Sequence, residues 1–237
     1  MSRPKRGPAA PLLDSVLDQL GREIVGGTLR EGKTFTLLDL SNRFEISRTV
    51  AREAMRALEQ LGLVAASRRV GITVLPRSKW SVLNQSIIEW RLETESEIRD
   101  QLRSLAELRS GVEPVAARLA AVYATQNERN RLAKIASDLR QLGREGRGAT
   151  DEFLELDIAF HSLLLRASNN EMFAALIPSI TSMLRGRTTF GLMPAVPNER
   201  ALTSHMELAN AIKAGNRDAA DRWAREILEE VREHLYP

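Results

Sequence analysis

Hydrophobic residues recur along most of this chain at helical rather than strand spacing. Leu12, Leu13, Val16, Leu17, Leu20, Ile24 and Val25 follow the period of an amphipathic helix, and Gly26-Gly27 ends it. The polar stretch Arg30-Glu31-Gly32-Lys33 reads as a loop. Thr36 is placed to cap a second helix running to about residue 44. Ser47 is placed to cap a third, from Arg48 to Gln60, closed by Leu61-Gly62. Two β-prone segments, 63–66 and 71–75, flank Ser67-Arg68-Arg69-Val70 and predict a hairpin with a basic tip. Pro76 closes this unit.

Beyond it the pattern predicts helices over about 80–92, 95–123, 127–143, 150–168, 170–190, 199–214 and 217–235. Gly, Pro, Asn and Thr mark the breaks between them, and Pro114 is expected to kink one helix. The expected fold is mainly α: an N-terminal winged helix-turn-helix with a β hairpin, then an all-helical bundle of six or seven helices. The divisions are a basic tail over 1–10, the winged unit over 11–76, an interdomain segment over 77–93 and the bundle over 94–237.

Charge sharpens that division. The net charge is +3, but residues 1–79 hold 14 Lys and Arg against 8 Asp and Glu, while residues 80–237 hold 20 against 23. A basic N-terminal part joined to a mildly acidic one suits a nucleic-acid reader with a second domain. No apolar run approaches the roughly 18–20 residues that cross a bilayer, and no apolar core of a signal peptide follows the basic start. The chain lacks cysteine, which excludes disulfides and thiolate sites and fits the cytoplasm.

In the third helix Arg48, Arg52 and Arg56 stand four apart on one face, opposite Val50, Ala54, Leu58 and Leu61. Such a helix enters the major groove N-terminus first. Arg48 and Arg52 can reach guanine edges or phosphates, and Ser47 and Thr49 can bond phosphates at the helix start. Arg68 and Arg69 at the wing tip can meet the backbone or a minor groove. The stretch from Ile46 through Ser47-Arg48, Val50-Ala51-Arg52-Glu53-Ala54-Met55 and Leu58 to Gly62-Leu63-Val64 resembles the recognition-helix signature of GntR-type bacterial transcription regulators. The resemblance implies operator contacts from Arg48, Thr49, Arg52 and Gly71, the last matching the glycine of the wing. The chain departs from the family where Phe35-Thr36-Leu37-Leu38-Asp39 leads into the second helix. Leu38 stands where an arginine often binds phosphate.

In the bundle, Asp157 and His161 lie one turn apart in an otherwise apolar run, and His205 opens another helical stretch. A buried carboxylate needs a partner or a cation. Asp with two His suits Zn, Ni or Mn; the same spacing also suits a plain Asp–His hydrogen bond. Residues from about 80 to 235 resemble the FCD effector domain of the FadR branch of the GntR family. That resemblance implies a metal on Asp157, His161 and His205 beneath a pocket for a small carboxylate. Ile227 occupies the position of the family's last histidine, which leaves water or effector oxygens to complete the coordination. His234, seven residues on, lies about 10 Å along a helix and substitutes poorly. Arg109 matches the family's carboxylate-clamping arginine, and Arg185, Arg187 and Thr189 are further candidates for the pocket.

The 79–93 stretch with Trp80 and Trp90, and the 112–121 stretch, resemble the sugar-acid-responsive group that includes galactonate-operon regulators. The two tryptophans are expected to pack between the domains. The implied function is a homodimeric repressor of sugar-acid catabolism genes, released from a pseudo-palindromic operator by an aldonate or a hexuronate. Two rivals stand beside it. One is a regulator with a metal-free pocket for another carboxylate or an acyl thioester. The other is a metal-dependent enzyme, but no general base, phosphate loop or nucleophile motif accompanies Asp157 and His161.

Overall fold

The computed structural model describes residues 9–68, 70–191 and 193–235, with side chains between 12 and 229. Backbone contacts divide the chain into two compact units, 1–98 and 99–237.

The first unit opens with α1 (Ala9–Val25), so residues 9 and 10, expected as tail, already belong to its first turn. Its Val16, Leu20, Ile24 and Val25 are buried. α2 (Leu37–Arg43) carries a reciprocal cap. The Asp39 amide donates to Thr36 Oγ1 at 3.1 Å, and the Thr36 amide donates to Asp39 Oδ2 at 2.7 Å. α3 (Arg48–Gln60) starts at Ser47, whose Oγ accepts from the Val50 amide at 3.3 Å. Ala51, Ala54 and Leu58 bury one face of α3. Both caps are short-range features, so the spacing of the sequence was enough to place them.

The sheet has three strands rather than the two expected. β1 (Thr34–Phe35) pairs with β3 (Gly71–Val74), and β3 pairs with β2 (Val64–Ser67), all antiparallel in the order β1-β3-β2. β1 spans two residues and is too short to show alternation in sequence. At Gly71 φ is +94°, and a Cβ there would stand 2.8 Å from the Phe35 carbonyl oxygen. The wing therefore requires glycine at this position for its own backbone.

A short 3₁₀ turn (Arg77–Lys79) and α4 (Gln85–Glu93) complete the first unit. Trp90 is buried in the core around α1 and α3, and its Nε1 donates to Asp18 Oδ1 at 3.0 Å. Gly21 makes room for it, since a Cβ there would come within 2.5 Å of the indole. Trp80 packs against the same core and donates Nε1 to the Leu75 carbonyl at 3.2 Å. Both tryptophans thus pack with the core of the first unit.

The second unit holds seven helices among the described residues: α5 (Ile98–Tyr123), α6 (Gln126–Arg144), α7 (Asp151–Ala167), α8 (Glu171–Ala174), α9 (Ile177–Thr189), α10 (Glu199–Lys213) and α11 (Arg217–Leu235). α5 runs on past Pro114 as one helix. The helix expected over 170–190 is two helices, because Pro178 sits in the first turn of α9, where a missing N–H is tolerated. The core joins Ala117, Ala120 and Ala121 of α5 to Leu132 and Leu139 of α6, Phe160 and Leu164 of α7, Leu208 and Ile212 of α10 and Ala224 of α11. The alanines let α5 approach closely. No helix among the described residues is long and apolar enough to cross a membrane.

Candidate functional site

Each unit carries a set of arginines. In the first unit α3 turns its buried face to α1 and α2 and leaves Arg48, Thr49, Arg52 and Arg56 exposed. Arg56 bonds Glu53 at 3.1 Å, whereas among the described residues Arg48 and Arg52 form no ion pair. Ser47 is half-buried because its hydroxyl serves the cap. Arg68 is exposed in the turn between β2 and β3; Arg69, proposed beside it, lies outside the described residues. The exposed side chains of Leu38 and Val70 also belong to this unit.

The second unit buries its arginine. Arg109 is 0% exposed on α5 and is gripped by Glu113 one turn later. Arg109 Nε donates to Oε1 at 2.5 Å and Nη2 to Oε2 at 3.2 Å. The same Oε2 stands 2.8 Å from His161 Nδ1 on α7. His161 Nε2 lies 3.3 Å from Asp157 Oδ1, and His205 Nε2 on α10 lies 3.5 Å from that oxygen. Donor atoms of Asp157, His161 and His205 fall within 4.8 Å of one another, and all three residues are buried.

The protonation pattern follows from these neighbours. Burial raises the Glu113 pKa, but the Arg109 and His161 charges outweigh it and bring the carboxyl to about 2. Burial likewise opposes ionisation of Asp157, and the two imidazoles beside it hold it well below the ordinary carboxylate range. For His161, burial lowers the pKa, yet Glu113 and Asp157 carry it upward.

The residues fit a divalent cation. His205 Nδ1 lies 2.9 Å from the Ala201 carbonyl, which places its proton there and leaves Nε2 as a buried lone pair without a hydrogen bond. Asp157 and the two Nε2 atoms then form a three-donor set whose imidazoles are held by outer partners. Arg109 Nη2 stands 3.0 Å from His161 Nε2, so a cation has to displace that contact. Ile227 lines the same cavity and offers no donor where the family's last histidine was expected. The side chain of His234 lies outside those described.

The cavity measures about 40 Å³ and is lined by Arg109, Asp157, His161, Arg187, His205 and Ile227, with Met193, Pro194 and Pro197 from the loop between α9 and α10. Of the three further pocket candidates only Arg187 reaches it. Arg185 is exposed and bonds Glu155 at 2.8 Å, and Thr189 is exposed near the end of α9. The reason is helical phase, since residues two apart do not share a face. Glu113 went unnoticed among the sequence candidates. Its signal was the i, i+4 spacing from Arg109.

Comparison with known proteins places both units. Residues 12–74 match the family of bacterial regulatory proteins called gntR, and residues 104–230 match the FCD domain. The galactonate operon transcriptional repressor of Escherichia coli is 31% identical over 215 residues, covering 89% of this chain and 91% of its own. The transcriptional regulator LutR of Bacillus subtilis is 29% identical over 200 residues, covering 81% and 87%. Among solved structures, Lar, which controls expression of the Listeria monocytogenes agr system, shares the fold with a TM-score of 0.61 at 14% identity, over 99% of each chain. Winged head, buried effector-domain cluster and sequence relationship agree, and the chain belongs to the GntR family of DNA-binding transcription regulators with an FCD domain, a family of regulators and not of enzymes.

Proposed function

We propose that this regulator is a homodimeric repressor of sugar-acid catabolism genes, acting in the cytoplasm and released from DNA by an aldonate or a hexuronate. The observation that carries the reading is the buried cavity where Arg109 and Arg187 converge with Asp157, His161 and His205. The relationship to a galactonate operon repressor points the same way. On the DNA side Arg48 and Arg52 read base edges or phosphates, Ser47 and Thr49 take phosphates, Arg56 and Arg68 add backbone contacts with Arg69, and Gly71 shapes the wing.

Charge explains why a cation belongs in this reading. Glu113 and Asp157 cancel Arg109 and Arg187, so once the imidazoles are neutral, as metal ligation requires, these residues alone exert no net pull on a carboxylate. A divalent cation held by Asp157, His161 and His205, of the Zn, Ni or Mn class, supplies that positive charge. Arg109 and Arg187, which line the cavity beside that site, would receive the effector's carboxylate, since guanidinium geometry allows paired bonds. At about 40 Å³ the cavity is far smaller than the roughly 300–1,000 Å³ of small-molecule pockets. A six-carbon acid is therefore admitted only when the wall of Met193, Pro194 and Pro197 gives way. Release from DNA follows if the DNA-competent and released states differ in affinity for the acid.

Ile227 favours a second reading, in which an apolar wall replaces the missing donor and a metal-free pocket takes another carboxylate or an acyl thioester. Fluorescence anisotropy on DNA from the gene's own upstream region, with a panel of aldonates and hexuronates, separates the two. Specific binding that one sugar acid releases, with that release abolished by chelation of the metal, is the expected result. Specific binding indifferent to every such acid supports the second reading. No specific binding at any salt concentration contradicts both.

A further inference from the structure

Glu113 lies at the centre of the buried cluster without being a metal donor. It is 1% exposed, on α5, and its Oε2 faces His161 Nδ1 on α7 at 2.8 Å. Arg109 fixes that carboxylate from the other side through Nε and Nη2. An imidazole nitrogen this close to a carboxylate oxygen must carry the proton, because two lone pairs would repel. In the neutral ring a proton on Nδ1 leaves the lone pair on Nε2, where the Arg109 Nη2 donor stands at 3.0 Å, nearer than Asp157 Oδ1 at 3.3 Å.

His205 offers a contrast. Its Nδ1 is set by Ala201, four residues earlier on its own helix. His161 differs: its own helix supplies Asp157, four residues earlier, on the Nε2 side, while its Nδ1 is met by Glu113 from α5.

We infer that Glu113 is a positioning residue of the cation site: by accepting the proton of His161 Nδ1 it presents Nε2 to the cation, and so sets metal affinity without touching the metal. The inference rests on the metal reading above. Carboxylates in this outer position are worth about 10–100-fold in metal affinity when removed from other sites.

The test uses full-length protein and two readouts. The first is Zn²⁺ alone, titrated against a competing chelator. The second is nitrogen NMR of the imidazoles, recorded without metal on the alkaline side of their titration. Glu113→Gln is expected to weaken Zn²⁺ binding about 10–100-fold. It is also expected to move His161 from a single Nδ1–H tautomer to a mixture, with His205 unchanged. Loosening of the fold alone would lower the melting temperature without selecting the His161 tautomer.

Unchanged Zn²⁺ affinity in Glu113→Gln overturns the inference, and so does a wild-type His161 whose proton sits on Nε2. If wild type binds no Zn²⁺, the metal reading fails, and with it the claim that Glu113 sets metal affinity; the tautomer readout then shows whether Glu113 still orients the ring. If Glu113→Gln does not fold, the double variant Arg109→Met with Glu113→Gln removes both buried charges together and takes its place in both measurements.

Discussion

The two units use arginine in opposite ways. In the winged head Arg48 and Arg52 are exposed and, among the described residues, form no ion pair. Their cost is small because water solvates them, and they are available to a polyanion. In the bundle Arg109 is wholly buried, and Glu113 compensates it with two hydrogen bonds. A charge withdrawn from water in this way is tolerable only while its partners stay in place. The same side chain is a surface contact in one unit and a member of a closed network in the other, so substitutions should separate binding from stability.

The largest expected effect breaks the buried side of that contrast. Arg109→Ala leaves Glu113 buried without its arginine, and is expected to destabilise the bundle by about 3–5 kcal/mol. Denaturant unfolding measures it; a loss below about 1 kcal/mol would mean that the arginine is not part of the network. Next comes the head's own core. Leu58 is 0% exposed on α3, and Leu58→Ala should cost about 2–5 kcal/mol and melt the head at lower temperature.

Surface arginines should behave differently. Arg52→Ala should leave the melting temperature nearly unchanged while weakening specific DNA binding by about 1–3 kcal/mol. Unchanged DNA affinity would remove Arg52 from the reading surface. Arg56, exposed and already paired with Glu53, should show the smallest effect of the helix, a loss of a single phosphate contact visible as a shallower salt dependence.

Acid sharpens the buried side. The Glu113 carboxyl is depressed from 4.5 to about 2 on folding, so its charged form adds stability at neutral pH. That contribution is lost as pH falls from about 4.5 toward about 2. The stability gap between wild type and Glu113→Gln should therefore narrow over that window. A gap that stays constant through it would mean that the network does not depend on the carboxylate's charge.

How much of this was legible depended on range. Thr36 and Ser47 were readable as caps because a cap acts over three residues. The pairing of β1 with β3 was not, since two residues carry no period and their partners lie far along the chain. Asp157 and His161 were readable as one helical turn, but their meeting with His205 needed α7 and α10 to pack. Arg187 could have been separated from Arg185 and Thr189 by helical phase alone. Glu113 shows the limit most clearly: its pairing with Arg109 is local, but its contact with His161 depends on tertiary packing between α5 and α7. The cavity's size was invisible in sequence, because the 193–197 loop that closes it has no periodic pattern.

The most direct test of the central claim, that the buried cavity governs the exposed reading surface, is DNA binding by Arg187→Gln, titrated with the releasing sugar acid. Arg187 lines the cavity and belongs to the bundle, not to the winged head. The account predicts unchanged DNA affinity without acid and a tenfold or greater rise in the acid concentration needed for release. Release at the wild-type concentration would contradict it.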